Sequence, residues 1–180
     1  RVLGAHWPVT FALPKNGPAA AAQTAYWFDC QGVRIAVIDG TSALDLGTGA
    51  AQAAWLDKVL ADNPHPWSIV LIHQPFYSPR AERDNEKLVQ QVLPVIRKHK
   101  VDLVLQGHDH TYGRRGDADH TTTPVFIVSV AGPKQYRLSD YARTTMKPTG
   151  GVGGQRPDAA ETDRGRADSE LWRLLWSPEN

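Results

Sequence analysis

The stretch Trp67-Ser68-Ile69-Val70-Leu71-Ile72, followed directly by His73-Gln74-Pro75, decides how this chain folds. It is a short apolar run, rich in β-branched residues, that ends in a turn signal, which is typical of a buried strand. A second run of this kind, Val101 to Leu105, precedes the sequence Gly107-His108-Asp109-His110. Asn85 to Lys100 lies between the two runs and has its apolar residues at helical spacing. We therefore predict a right-handed strand–helix–strand crossover that joins two parallel strands.

Three histidines follow these two strands, namely His73, His108 and His110. Parallel strands have their carboxyl ends at the same edge of a sheet, and open α/β folds bind ligands at that edge. Three imidazoles at one edge are the beginning of a metal site, so we predict these three residues as metal ligands. The competing interpretation is a strand-end histidine that is bonded to the backbone. Asp109 points away from its neighbours if the segment is extended, and we expect it to support the site rather than bind the metal.

Other patterns predict the remaining elements. Tyr26 to Asp29 and Val33 to Asp39 are separated by a short turn and predict a β-hairpin. A helix is predicted from Gly49 to about Asp62, with Thr48 as its N-cap. Pro124 to Val130 predicts another buried strand.

Several segments are predicted to be irregular. Arg1 to Ala22, Ser42 to Thr48 and residues 107–123 are rich in turn-forming residues and are expected to be loops. Pro94 lies inside the crossover helix and is expected to kink it or to reset its start. From Thr149 onward the sequence becomes rich in Gly, Arg and Asp without apolar periodicity, which is typical of disorder.

The composition excludes several classes of protein. The 180 residues are enough for one domain with a real core. A formal net charge of +1 indicates no polyanionic partner, so no nucleic-acid binding is expected. The single cysteine, Cys30, can form no internal disulfide. No apolar run approaches the roughly 20 residues that are needed to cross a bilayer, and no membrane partner is expected. Composition leaves the oligomeric state open.

Two blocks of the sequence resemble a known family. Residues 67–78 (WSIVLIHQPFYS) resemble the strand-and-histidine block of calcineurin-like metallophosphoesterases, with the purple acid phosphatases as the closest branch. Residues 107–114 (GHDHTYGR) resemble the closing G-H-x-H block of that family. The two blocks occur in the family's order and spacing, and the resemblance covers about residues 25–135.

The resemblance implies an α/β fold, namely part of an α/β/β/α metallophosphoesterase sandwich with mixed sheets. It also implies hydrolysis of phosphate esters at a dinuclear centre of two divalent or trivalent metal ions, for which imidazole and carboxylate ligands favour Fe, Zn or Mn. His73 and His108 would bind one ion and His110 the other. Tyr77 and Tyr112 would lie near the mouth of the site and contact the substrate. The branch as a whole favours an exported protein.

Two arginines in the loop after the first block add a further expectation. Arg80 and Arg83 are candidates to contact phosphate oxygens, because guanidinium groups bind such oxygens through paired hydrogen bonds. We predict Arg80 as a substrate-binding residue. The alternative for both is a solvated loop arginine.

The sequence also departs from the family. The D-x-H, G-D-x-x-[DY] and G-N-H-[DE] blocks, which supply carboxylate and Asn ligands, are not found in it. Gly4-Ala5-His6-Trp7 aligns loosely with the last block but lacks the Asn and the acid. We therefore expect residues 1–148 to be the C-terminal half of a metallophosphoesterase domain and residues 149–180 to be a largely disordered tail. The dinuclear centre would be completed by residues absent from this chain.

Two other functions stay open. The chain could be a non-catalytic remnant that binds metal, or an interaction module. In the second case Leu171 to Trp176, a short apolar island near the C-terminus, or an exposed sheet edge would recruit a partner protein.

Overall fold

The structure is a computed structural model that describes residues 6–80, 83, 85–116, 124–129, 136 and 139. Its centre is one mixed sheet of six strands in the order β1-β2-β3-β4-β6-β5. The strands are β1 (Tyr26–Cys30), β2 (Val33–Ile38), β3 (Trp67–Ile72), β4 (Leu103–Gln106), β5 (Gly113–Arg115) and β6 (Val125–Val128). The helices are α1 (Trp7–Thr10), α2 (Gly40–Asp45), α3 (Gly49–Ala61) and α4 (Glu86–Lys98), with a 3-10 helix at Ala19–Ala21.

The strand pairing confirms the predicted α/β class and the crossover. Strands β2, β3, β4 and β6 are parallel, with Val37 paired to Leu71 and Leu71 to Leu105. Strand β1 pairs antiparallel with β2, as the predicted hairpin requires, and β5 pairs antiparallel with β6 at the other side of the sheet. Four parallel strands therefore end along one edge.

One face of the sheet forms the core with α3 and α4. Alternate strand residues on this buried face are almost completely enclosed, and Leu56 of α3 and Ile96 of α4 belong to the same cluster. The strand residues of the buried face are Ala36, Ile38, Val70, Ile72, Val104, Phe126 and Val128. Branched and aromatic side chains at period two explain why these segments are strands.

The opposite face is equally apolar, but it is half-buried or exposed. We call it the open face, and it consists of Ile35, Val37, Trp67, Ile69, Leu71, Leu103, Leu105, Val125 and Ile127. Leu105 is 36% exposed and Trp67 is 58% exposed. Parallel sheets normally have both faces covered, and their strands therefore read as continuous apolar runs.

The expectation of a loop from Ser42 to Thr48 was wrong in its first part. Helix α2 begins at Gly40, and the Asp39 carboxylate accepts a hydrogen bond from the Ser42 backbone N–H at 2.9 Å, as an N-cap does. Thr48 occupies the N-cap position of α3 but makes no side-chain cap bond to that helix. Its hydroxyl lies 2.8 Å from the Ser42 hydroxyl instead.

Two other segments differ from the prediction. The N-terminal region, expected to be irregular, contains α1 and the 3-10 helix, and β5 lies within residues 107–123, which were expected to be loop. Pro94 does not reset the start of α4, since the helix runs from Glu86 through it to Lys98. The boundary at residue 148, the tail from 149 to 180 and its apolar island lie outside the described residues. Within the described part of the chain, no helix is long and apolar enough to span a membrane.

Candidate functional site

The carboxyl ends of β3 and β4 bring two of the three predicted metal ligands together. The Nε2 atom of His73 lies 2.9 Å from the Nδ1 atom of His108, and the ring centroids are 4.8 Å apart in an edge-to-face arrangement. Gly107 packs directly against His73, since a Cβ built at position 107 would lie at van der Waals distance, 3.4 Å, from the Nδ1 atom of His73. Its backbone N–H also donates to the His73 carbonyl at 3.0 Å, which ties the two strand ends together.

The loop that carries the second histidine has an unusual backbone. His108 and His110 both have positive φ angles, of 71° and 44°. A left-handed conformation costs a residue with a Cβ about 1–2 kcal/mol, so surrounding contacts must hold it. Asp109, between the two histidines, is completely buried, accepts a hydrogen bond from the Ser78 hydroxyl and forms an ion pair with Arg83. Asp109 therefore anchors the loop by contacts with residues of another loop.

The surroundings of His108 disfavour the charged form of its ring. Burial lowers the pKa of His108 below its ordinary value, and the charges of Arg83, His73 and Arg80 lower it further, while Asp109 opposes them. A neutral imidazole is the form that binds a metal ion. The same cluster of positive charge favours an anion beside the histidines.

His110 makes different contacts from the other two histidines. Its ring centroid lies 5.0 Å from that of Tyr136, and its carbonyl accepts a hydrogen bond from the Tyr136 backbone N–H at 3.2 Å. Among the residues that the structure describes, no group of three or more His, Cys, Asp or Glu side chains is arranged to hold a metal ion. The described chain therefore brings together His73 and His108 but does not add His110 to them.

A cleft of about 490 Å³ lies at the same edge of the sheet. Its polar lining includes Asp39, Thr41, His73 and Gln106, from the ends of β2, β3 and β4. Its apolar lining includes Val37, Leu71 and Leu105, which belong to the open face, together with Trp7 of α1. The cleft is thus continuous with the open face and reaches one member of the histidine pair.

Gln52 fixes the position of Asp39, and sequence reasoning missed it. Its side chain is fully buried in α3 and accepts from the Asp39 backbone N–H at 2.9 Å. Its amide nitrogen donates to the Asp39 carbonyl at 2.9 Å and to the Thr48 hydroxyl at 2.9 Å. An amide on the apolar face of a predicted helix was the available signal, because a buried polar side chain needs partners.

Five buried side-chain polar atoms near this edge have no hydrogen-bond partner among the described residues. Arg83 Nε and Asp109 Oδ1 face each other in the ion pair, and the other three are Gln74 Oε1, Gln106 Nε2 and Thr111 Oγ1. The other amide atom of each glutamine is satisfied, since Gln74 donates to Thr41 at 2.7 Å and Gln106 accepts from the Phe76 backbone N–H at 2.7 Å. A buried polar atom without a partner costs about 1–3 kcal/mol, so this edge has hydrogen-bonding capacity that further groups can satisfy.

The residues present fit part of a metal site. Two converging imidazole nitrogens suit Fe, Zn or Mn, as the predicted cofactors require. Two nearby carboxylates are engaged elsewhere, Asp109 with Arg83 and Asp39 with the start of α2. Full ligation of two ions therefore needs donors beyond the described residues.

The predicted substrate-binding residues occupy three different environments. The Tyr77 ring packs edge-to-face against Phe126, with the ring centroids 5.1 Å apart, and the Arg115 guanidinium carbon lies 3.8 Å from the centre of the Tyr77 ring. The Tyr77 hydroxyl accepts a hydrogen bond from Arg97 at 2.9 Å. Tyr112 is half-buried, and burial raises the pKa of its hydroxyl although Arg114 opposes the rise. Arg80 is exposed, with its guanidinium 4.4 Å from the centre of the Tyr136 ring.

Comparison with known proteins agrees with the two sequence blocks and with the sheet edge that they form. The model of the calcineurin-like phosphoesterase family matches residues 10–112. The chain belongs to this family. The match ends just past the histidine loop, so it includes β1 to β4 and all three predicted histidine ligands.

Similar proteins of known name are acid phosphatases. Purple acid phosphatase 17 of Arabidopsis thaliana is 32% identical over 94 residues, which cover 52% of this chain and 27% of that protein. Tartrate-resistant acid phosphatase type 5 of Sus scrofa is 36% identical over 66 residues, or 37% of this chain and 19% of that protein. The Fe(3+)-Zn(2+) purple acid phosphatase 12 of A. thaliana is 31% identical over 101 residues, or 53% and 22%. The chain spans about a quarter of the length of the relatives that it matches.

Among solved structures, the chain is similar to GAP50, described as the anchor in the inner membrane complex of Plasmodium. The TM-score is 0.45 at 20% identity, over 64% of this chain and 40% of that one. PhoD has a TM-score of 0.44 at 12% identity, over 61% of this chain and 29% of that chain.

Proposed function

We propose that this chain supplies the histidine ligands of a metallophosphoesterase active site. That site hydrolyses phosphate esters at a dinuclear centre of Fe, Zn or Mn. In this proposal His73 and His108 bind one ion, His110 binds the other, and Arg80, Tyr77 and Tyr112 contact the substrate. The family membership and the acid phosphatase relatives support the reaction class. Bound metal ions would neutralise the phosphoryl oxygens and activate water for attack.

The observation that carries the proposal is the contact between His73 and His108 across the ends of two parallel strands. Their nitrogens are 2.9 Å apart although the residues are 35 positions apart in sequence. The backbone at both histidines is held, since the Gly107 N–H donates to the His73 carbonyl and the anchored Asp109 adjoins His108. Two converging imidazole nitrogens are suited to bind a cation that in turn binds an anionic substrate.

The open face indicates where the rest of the centre would come from. It is a continuous apolar surface that includes Leu71 and Leu105, and the cleft that ends at His73 is continuous with it. We propose that residues outside this chain form a second sheet on this face and carry the carboxylate ligands to the cleft. Residues 1–148 would then be the C-terminal half of the domain, and residues 149–180 a tail.

The test compares the 180-residue chain with a protein extended upstream of Arg1 in its own gene. Both are assayed with p-nitrophenyl phosphate in the presence of Mn²⁺ or Zn²⁺, and their metal content is measured by elemental analysis. We expect turnover and about two ions in the extended protein, and little or no turnover in the shorter chain. His108→Ala in the extended protein should lower kcat/KM by at least about 100-fold, since a metal ligand is lost.

His65→Ala is the matched control. His65 precedes β3, at the opposite end of that strand from His73, and pairs with Asp29 at 3.2 Å. This variant should retain its metal and its activity. An extended protein that is inactive and free of metal would refute the proposal.

A second candidate is a non-catalytic protein that binds one metal ion. It is favoured by the absence of a three-residue ligand cluster among the described residues. It predicts at most one ion for each chain and no turnover by the extended protein with any metal, so the same experiment separates the two functions. An interaction module is the third candidate, and in it the open face would bind a different protein.

A further inference from the structure

We infer that Tyr136 is a positioning residue that holds the guanidinium of Arg80 near His110, so that Arg80 can bind a phosphate group. The inference rests on the proposed function for the identity of the anion. Tyr136 lies outside both sequence blocks and outside the matched residues 10–112. It connects Arg80 to His110 in the described structure.

Tyr136 contacts both residues through different parts of its structure. The guanidinium carbon of Arg80 lies 4.4 Å from the centre of the Tyr136 ring, which is a cation–π distance. The His110 ring lies 5.0 Å away at an interplanar angle of 69°, and the Tyr136 backbone N–H donates to the His110 carbonyl at 3.2 Å. Tyr136 thereby fixes the distance between an arginine of one loop and a histidine of another.

The backbone of Arg80 is also held relative to the histidine loop. Its N–H donates to the Ser78 hydroxyl at 3.0 Å, and that hydroxyl donates to the buried carboxylate of Asp109. The backbone N–H of Ser139, three positions after Tyr136, donates to the Pro79 carbonyl at 2.9 Å, which is a second contact with the same loop. The base of Arg80 is therefore fixed, and Tyr136 determines where the long side chain goes.

Stacking is the geometry that suits this role. A guanidinium that is stacked on an aromatic ring contacts the ring through the flat face of the guanidinium group. The five N–H donors lie in the plane of the guanidinium and point outward from it. They can form paired bonds with a phosphate group while the stacking contact stays intact. The Tyr136 ring that the Arg80 guanidinium overlies also contacts His110, so a single aromatic side chain separates that positive charge from this histidine.

The role can be measured without turnover. The dissociation constant of inorganic phosphate is determined by calorimetry with saturating Zn²⁺, for the wild type, Tyr136→Phe, Tyr136→Leu, Arg80→Gln and the double variant Tyr136→Leu/Arg80→Gln. Tyr136→Phe keeps the aromatic face and should bind as the wild type does. Tyr136→Leu should weaken binding about two- to fivefold, the range expected for an exposed cation–π contact. In the Arg80→Gln background Tyr136→Leu should change nothing further, because Tyr136 acts through Arg80.

A second measurement reports the geometry directly. The Arg80 Nε–H resonance, assigned by NMR, should be shifted by the ring current in the wild type and in Tyr136→Phe, and should lose that shift in Tyr136→Leu. Lys87→Gln removes one exposed positive charge from α4 and controls for net charge. Tyr26→Leu removes a tyrosine of β1 and controls for loss of an aromatic ring.

Several outcomes would overturn the inference. These are a wild type that does not bind phosphate, an Arg80 resonance that is insensitive to Tyr136, and effects of the two single variants that simply add in the double variant. A protein that binds phosphate with the expected coupling but has no phosphatase activity would refute the proposed function and leave this inference intact. A protein that has phosphatase activity but shows no coupling between Tyr136 and Arg80 would refute this inference and leave the proposed function intact.

Discussion

The two faces of the sheet are built from similar apolar residues but differ in solvent exposure. Phe126 and Ile127 are neighbours in β6, yet Phe126 is 1% exposed while Ile127 lies on the open face and is half-buried. The same holds for Val104, which is fully buried, and Leu105, which is 36% exposed. The difference lies in what covers each face, because α3 and α4 pack on one of them.

The chain forms its core on one face of the sheet, and the candidate site lies at the edge of the other face. The cleft at the carboxyl edge is lined by open-face residues Val37, Leu71 and Leu105, and it includes His73. The buried amide atoms Gln74 Oε1 and Gln106 Nε2, which have no hydrogen-bond partner among the described residues, follow the same strand ends. Both unfilled apolar surface and unfilled hydrogen-bonding capacity therefore lie near the candidate site.

The largest expected effect compares neighbouring residues of β6. Phe126→Ala should lower the free energy of unfolding by about 3–5 kcal/mol, because it removes a buried ring that contacts Phe76 and Tyr77. Ile127→Ala should lower it by about 1 kcal/mol, because that side chain is half-buried. Urea denaturation of the full chain gives both values, and equal costs would mean that the open face is covered.

A smaller effect is expected when the open face is made polar. The double substitution Leu71→Ser/Leu105→Ser should lower the free energy of unfolding by about 2 kcal/mol, about 1 kcal/mol for each side chain, since both are partly in water already. Binding of a hydrophobic dye and association at high concentration, measured by fluorescence and sedimentation, should both fall.

Val104→Ser, on the buried face between these positions, is the contrast. It should cost more free energy of unfolding than the double variant, because it buries a hydroxyl in an apolar core. If the double variant binds as much dye as the wild type, the open face is not the apolar surface that the dye detects.

The smallest effect concerns the helices behind the buried face. Asp57 of α3 bonds to Lys98 at 2.7 Å and to His99 at 2.6 Å, and these two partners, Lys98 first, lower the pKa of its carboxyl. A lowered pKa in the folded state means that the stabilisation is present above about pH 4 and is lost as the pH falls through the folded value. Asp57→Asn should therefore lose less stability than the wild type between about pH 5 and pH 2.

Urea denaturation at a series of pH values measures this difference. Asp62→Asn replaces an exposed carboxylate at the end of α3 and is the matched control. A slope for Asp57→Asn that equals the wild-type slope would show that the exposed pair between the helices contributes nothing measurable, as many surface pairs do.

Patterns that repeat along the chain predicted most of the fold. The bounds of β3 agree with its apolar run, and α3 differs from its prediction by one residue at its end. The elements that were missed lack such a pattern. Helix α2 has six residues and depends on a cap by Asp39, and β5 has three residues whose pairing with β6 provides their order.

The site was predictable where it depends on strand order and not where it depends on side-chain direction. Adjacent parallel strands bring His73 and His108 to the same edge of the sheet, where their ring nitrogens lie 2.9 Å apart. The position of His110 depends on two left-handed backbone residues, and its partner Tyr136 comes from a segment without a recognisable pattern. Gln52 of α3 acts through hydrogen bonds to the backbone of Asp39, the N-cap of α2, and these bonds form only when the two helices lie close together.

The left-handed backbone at His108 and His110 bears on which residues these positions accept. A glycine at either position would adopt the observed φ without a steric penalty. It would also lose more conformational freedom on folding, and it would remove the ring contact of His108 with His73 or of His110 with Tyr136. A relaxed backbone at these positions is therefore gained only by giving up side-chain contacts that join separate loops.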